Sequence, residues 1–109
     1  MRKKFIIIFV TASSVVEARQ IIDVLLTKKL VACGNIINGI ESKFWWQGKV
    51  GKANEALLIL KGLAENFTKI ESVVKKQHSY EVPEIIAIPI AAGSSSYLKW
   101  IEKSTTKKK

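Results

Sequence analysis

One cysteine in 109 residues excludes an intrachain disulfide, so the fold must be held by its core. A chain of this length buries roughly two-thirds of its unfolded surface and needs no staple. The lone thiol, Cys33, suits a reducing, cytoplasmic setting. One histidine, His78, cannot by itself make a tight metal site, and no Ser-His-Asp or Cys-His arrangement can be assigned from spacing. The two arginines, Arg2 and Arg19, lie in no anion-cradling loop, which argues against acylphosphatase-like chemistry. No apolar run approaches the ~20 residues of a membrane helix. Phe5–Val10, after the basic Arg2–Lys4, is shorter than the ~7–15 apolar residues of a secretory signal and reads as a first core strand.

Positive charge is what the chain has in excess. Eighteen basic against nine acidic residues give +9, which suggests nucleic acid at first sight. The distribution weakens that reading. Seven basic residues sit in the terminal arms: Arg2, Lys3 and Lys4, then Lys103 and Lys107 to Lys109. With 48% hydrophobic and 25% charged residues, the composition is that of one globular domain, 1–109, ending in a mobile basic tail over 103–109.

The pattern along the chain predicts alternating elements. Phe5–Val10 is continuously apolar and β-rich, as in a strand buried on both faces. Ser14 and Glu17 form an S-x-x-E capping box that opens a helix to about residue 29, with Val15, Ala18, Ile22, Leu25 and Leu26 inward. A second strand spans Val31–Ile40, is interrupted at Gly34 and Gly39, and resumes through Phe44–Trp46. A turn over 47–51 leads to a third strand, Glu55–Leu60, and the pair reads as a hairpin. A second helix lies within Ala64–Gln77, with Thr68 and Glu71 either capping it or sitting one turn inside it, and with Phe67, Ile70, Val73, Val74 and Gln77 inward. Glu84–Ile90 is a fourth strand, which Pro89 assigns to an edge or a bulge. A short helix, Ser96–Glu102, buries Tyr97, Leu98, Trp100 and Ile101.

The expected fold class is therefore α+β: a ferredoxin-like β-α-β-β-α-β sandwich with an extra C-terminal helix. Two helices cover one face of the sheet. The other face is also apolar and would aggregate if left bare, so a further copy of the same chain is its expected cover, and the over-long second strand with its aromatic end is a natural arm for that packing. An RNA-recognition domain shares this order, but its central strands carry aromatics, and EALLILK (Glu55–Lys61) has none.

The segments VACGNIINGIESKFWWQGK, EALLILK, HSYEVPEIIAIPI and GSSSYLKWI, in this order, resemble the CutA family of divalent-cation-tolerance proteins. With the strand-helix unit before them they cover about Phe5 to Ile101. The resemblance implies a tight homotrimer similar to PII-like signalling proteins, no established reaction, no organic cofactor, and an association with copper, Cu(II), or another divalent cation. Three departures stand out. Ser79 replaces the proline usual after the histidine, Gln47 replaces an acidic residue after the tryptophans, and Gln77, Val10 and Thr11 offer no extra metal ligand.

His78 is the leading candidate metal ligand; the competing reading is a helix-end histidine bonded to a carbonyl or to Glu81. Cys33 is a second candidate, as a soft thiolate, against the reading of a small core residue. Lys61, Tyr80, Glu81, Glu84 and Trp46 form a candidate cleft between subunits, either for a small ligand in the PII manner or as a salt-bridge and hydrogen-bond set. Trp45 and Trp46, as strand neighbours, face opposite sides, one inward and one toward a partner chain. Nucleic acid and membrane are not expected partners.

Overall fold

The computed structural model describes residues 4–106, so the basic arms at residues 2–3 and 107–109 lie outside the described residues. The elements are β1 (Phe5–Ala12), α1 (Val15–Thr27), β2 (Cys33–Trp46), β3 (Lys49–Leu63), a 3-10 turn (Ala64–Asn66), α2 (Phe67–Gln77), β4 (Ile85–Pro89) and α3 (Ser95–Thr105). The sheet order is β2-β3-β1-β4 and every pairing is antiparallel. The α+β reading and its β-α-β-β-α-β order are those of the structure. No helix among the described residues is long and apolar enough to cross a membrane.

Alternation along β1 sets the layers. Ile6, Ile8, Val10 and Ala12 are buried, as are their counterparts Leu60, Leu58 and Ala56 on β3. Against this face lie Ala18, Ile21, Ile22 and Leu25 of α1 and Ile70 and Val74 of α2. Burying a side chain of this size stabilises by about 1.5–3 kcal/mol, and this double layer is the main core. Gly34 lets α1 come close: a Cβ there would stand 2.9 Å from Ile22 Cδ1.

Several expectations need correction. Leu26 is 41% exposed, and Ile21 takes the inward place, because α1 turns that side to solvent. β2 is continuous; a bulge at Asn38–Gly39, with Gly39 at φ +78°, absorbs the interruption. β3 begins at Lys49, not Glu55, because Gln47 and Gly48 both take positive φ and close a two-residue hairpin turn. Of the two readings for Thr68 and Glu71, the structure has the second: both lie inside α2, Asn66 stands at the N-cap without a side-chain bond, and Gln77 is exposed. α3 runs on to Thr105, into the expected tail, and buries Ile101 and Thr105 while Tyr97 and Trp100 stay over 40% exposed. Pro89 does lie in an edge strand.

Because β1 pairs with β3 only over Ala56–Leu63, the rest of the hairpin overhangs the body. Ile40–Trp46 and Lys49–Glu55 pair as strands only with each other, as a two-stranded arm roughly 24 Å long at strand rise. No helical layer reaches it. Trp45 (75% exposed) and Trp46 (46%) are both uncovered, so neither packs inward as expected.

Candidate functional site

Two polar clusters interrupt the apolar structure. The first joins the end of β1, the start of α1 and the loop after α2. Ser14 caps α1 by accepting the Glu17 N–H at 3.1 Å. The Glu17 carboxylate does not return to Ser14, as a capping box would have it. It accepts the Ser13 N–H (2.9 Å), the Ser13 hydroxyl (3.1 Å) and, from the distant loop, the Ser79 N–H (2.9 Å). Burial works to raise the Glu17 carboxyl, but these donors outweigh it and hold the group below its ordinary value.

His78 ends α2 with its side chain fully shielded. Its Nδ1 accepts the Tyr80 N–H at 3.0 Å, so Nε2 carries the proton and donates to the Thr11 carbonyl at 2.6 Å. The Glu17 carboxylate stands 3.8 Å from Nδ1, and the Tyr80 ring stacks at a tilt, 4.7 Å between centroids. Both ring nitrogens are thus committed within the chain. The Tyr80 hydroxyl donates to buried Glu55 at 2.8 Å; burial first, then the Glu55 bond and charge, push its phenol up to about 12.

The second cluster lies on the other sheet face. Cys33 and Lys61 are register partners on β2 and β3. Asn35 Oδ1 accepts from the Lys61 ammonium and lies 3.9 Å from the Cys33 thiol. α3 packs against β3 and sets the Tyr97 phenol beside Cys33; burial and that thiol push the phenol up.

The structure thus separates the expected cleft set within one chain. Tyr80 belongs to the first cluster, Lys61 to the second, and Trp46 to the arm. Glu81 and Glu84 are exposed, and no hydrogen bond or ion pair between described residues links them to Lys61 or Tyr80. Sequence reasoning missed Glu17, Glu55, Asn35 and Tyr97 as members. Glu17 was visible only as a capping residue, and the Cys33–Lys61 pairing needed the position of the Gly39 bulge.

A family model, CutA1 divalent ion tolerance protein, matches residues 6–104. The chain belongs to this family. The CutA divalent-cation tolerance protein of Archaeoglobus fulgidus is 45% identical over 89% of this chain and 94% of its own length. The chloroplastic CutA 1 of Oryza sativa is 40% identical over 92% of this chain, which spans 56% of that relative's length. Among solved structures, the periplasmic divalent cation tolerance protein CutA of A. fulgidus superposes with a TM-score of 0.91 at 43% identity, over 94% of this chain and 99% of that one. The O. sativa structure gives 0.92 at 38% identity, over 96% of each. The family is one of divalent-ion tolerance proteins.

Set against a divalent cation, the residues of one chain do not fit. Among the described residues no three His, Cys, Asp or Glu side chains converge as a metal site. Cys33 has near it an amide, a lysine and a phenol, and the His78 lone pair is taken by Tyr80.

Proposed function

We propose that the protein is a cytoplasmic, homotrimeric divalent-cation (copper) tolerance protein of the CutA type. The observation that carries the reading is the incompletely covered second face of the sheet. Ile7 and Phe9 of β1, Leu57 and Ile59 of β3, and Ile86 and Ile88 of β4 share that face by register, and none is buried. Ile86 and Ile88 are about half exposed. An apolar sheet face of this kind and an unsupported two-stranded arm call for protein cover. Copies of the same chain supply it, and α1 and α2 then face outward.

In this reading cation ligands come from more than one chain. His78 joins them only by giving up the Tyr80 N–H, so binding is weak. Calorimetric titration of Cu(II) into untagged protein tests this. The expected result is binding weaker than micromolar that is lost in His78→Ala, with the circular dichroism of the variant unchanged. Tight binding that survives His78→Ala overturns the role of His78.

The Asn35–Lys61–Cys33–Tyr97 cluster favours a second reading, a PII-like small-ligand cleft between subunits. It is a polar island with a cation on an otherwise apolar face. A thermal shift from a metabolite that is lost in Lys61→Ala but kept in His78→Ala is its signature.

A further inference from the structure

The helical layer carries a groove that neither reading uses. It is an open depression of about 700 Å³ between the C-terminal end of α1 and the middle of α2. Lys28, Lys29 and Lys69 line it, together with the hydroxyls of Thr27 and Ser72. Leu30, buried, and Val73, half-buried, form an apolar floor. No acid lines the groove, and none of the three ammonium groups pairs with a described residue; the nearby Glu71 is taken by Lys75 at 3.2 Å. Three like charges around one concavity repel one another, and a multiply charged anion relieves that repulsion.

The chain end of α1 supports the same conclusion. A helix C-terminus ordinarily presents bare carbonyls that disfavour an anion. Here the Lys28, Lys29 and Leu30 N–H groups return to the carbonyls of Val24, Leu26 and Leu25, each at 3.0 Å. This is a Schellman closure, and its left-handed position, where glycine is usual, holds Lys29 at φ +57°. A glycine there would remove the Cβ strain of roughly 1–2 kcal/mol. The lysine instead brings its charge to the groove.

We propose that this groove binds a small phosphate-rich anion, with Lys28, Lys29 and Lys69 neutralising it and Thr27 and Ser72 donating hydrogen bonds. Lysine suits phosphate as a compact point charge. The groove lies on the helical layer, on the opposite side of the sheet from Ile7, Phe9, Leu57 and Ile59.

Tripolyphosphate titrated into isotope-labelled protein near neutral pH and physiological salt, followed by amide NMR, is the test. Saturable shifts at Lys28, Lys29, Lys69 and Ser72 are expected. The double variant Lys28→Ala with Lys69→Ala should weaken binding about tenfold or more. Lys43→Ala with Lys52→Ala, a cross-strand pair on the arm, removes the same charge elsewhere and should leave binding within about twofold. Equal losses in the two double variants reduce the effect to net charge and overturn the proposal. So does the absence of saturable shifts at millimolar tripolyphosphate.

Discussion

Ile6, Ile8 and Val10 point from β1 toward α1 and α2 and are buried, whereas Ile7 and Phe9, from the same strand and no less apolar, are only half covered. The comparison extends across the sheet, with Leu58 and Leu60 against Leu57 and Ile59. Period-two alternation assigns residues to faces, and it does so alike on both. What differs is the source of cover. One face is closed by α1 and α2, and the other is left half-buried, with α3 packed on β3 at the Cys33–Lys61 end. Apolar pattern states that a face needs cover; topology states whether the same chain can give it.

The largest effect should come from breaking the covered face. Leu58→Ala removes a fully buried side chain and should cost about 2–5 kcal/mol in denaturant unfolding, at any protein concentration. Its neighbour Ile59→Ala should act through assembly, so that its unfolding midpoint falls further as the protein is diluted. Equal concentration dependence in the two variants would erase the distinction between the faces.

Gly34→Ala probes how closely α1 rides on the covered face. The added methyl meets Ile22, and a loss of about 1–3 kcal/mol is expected by thermal or chemical denaturation. A neutral result would mean that α1 has slack.

Glu17 fastens the loop bearing His78 to this helix, and Glu17→Ala strands the Ser13 and Ser79 N–H groups, at about 1–3 kcal/mol. The sign of its pH dependence follows from its lowered carboxyl. Its contribution is complete above the ordinary value of 4.5 and is lost as pH falls below that through the folded value. Glu17→Gln should therefore flatten the acid limb of a stability-against-pH curve and leave the neutral region shallow.

The smallest effect is expected at Tyr80. Its phenol is raised from 10.0 to about 12, so its contribution is complete below 10 and fades as pH rises through 12. Ultraviolet titration should show a late phenolate that disappears in Tyr80→Phe. An unchanged titration would remove the Glu55 bond from the account.

Local signals carried most of the fold. The FIIIFV run, the Ser14 cap, the hairpin and the edge proline each act within a few residues and were legible as such. The arm was legible as an over-long second strand with an aromatic end, but its extent was not, because that depends on where β1 stops pairing, a fact held at Ala12 and Ala56. The exposure of Tyr97 and Trp100 was hidden for a related reason: helical periodicity shows a stripe but not whether the chain folds anything onto it. Of the site, His78 was visible as a residue and, in one of two readings, as a helix-end histidine on a carbonyl. That the carbonyl is Thr11, 67 residues away, is a tertiary fact. Glu17 and Glu55 look like a cap and a strand start, and only the folded loop makes them acceptors.

The central claim is that the bare sheet face is an interface between copies of this chain. Light scattering of the untagged protein at micromolar concentration tests it most directly. A mass of three chains is the predicted result. A mass of one chain, in protein with an intact thermal transition, would contradict it and leave Ile86 and Ile88 exposed to water without a partner.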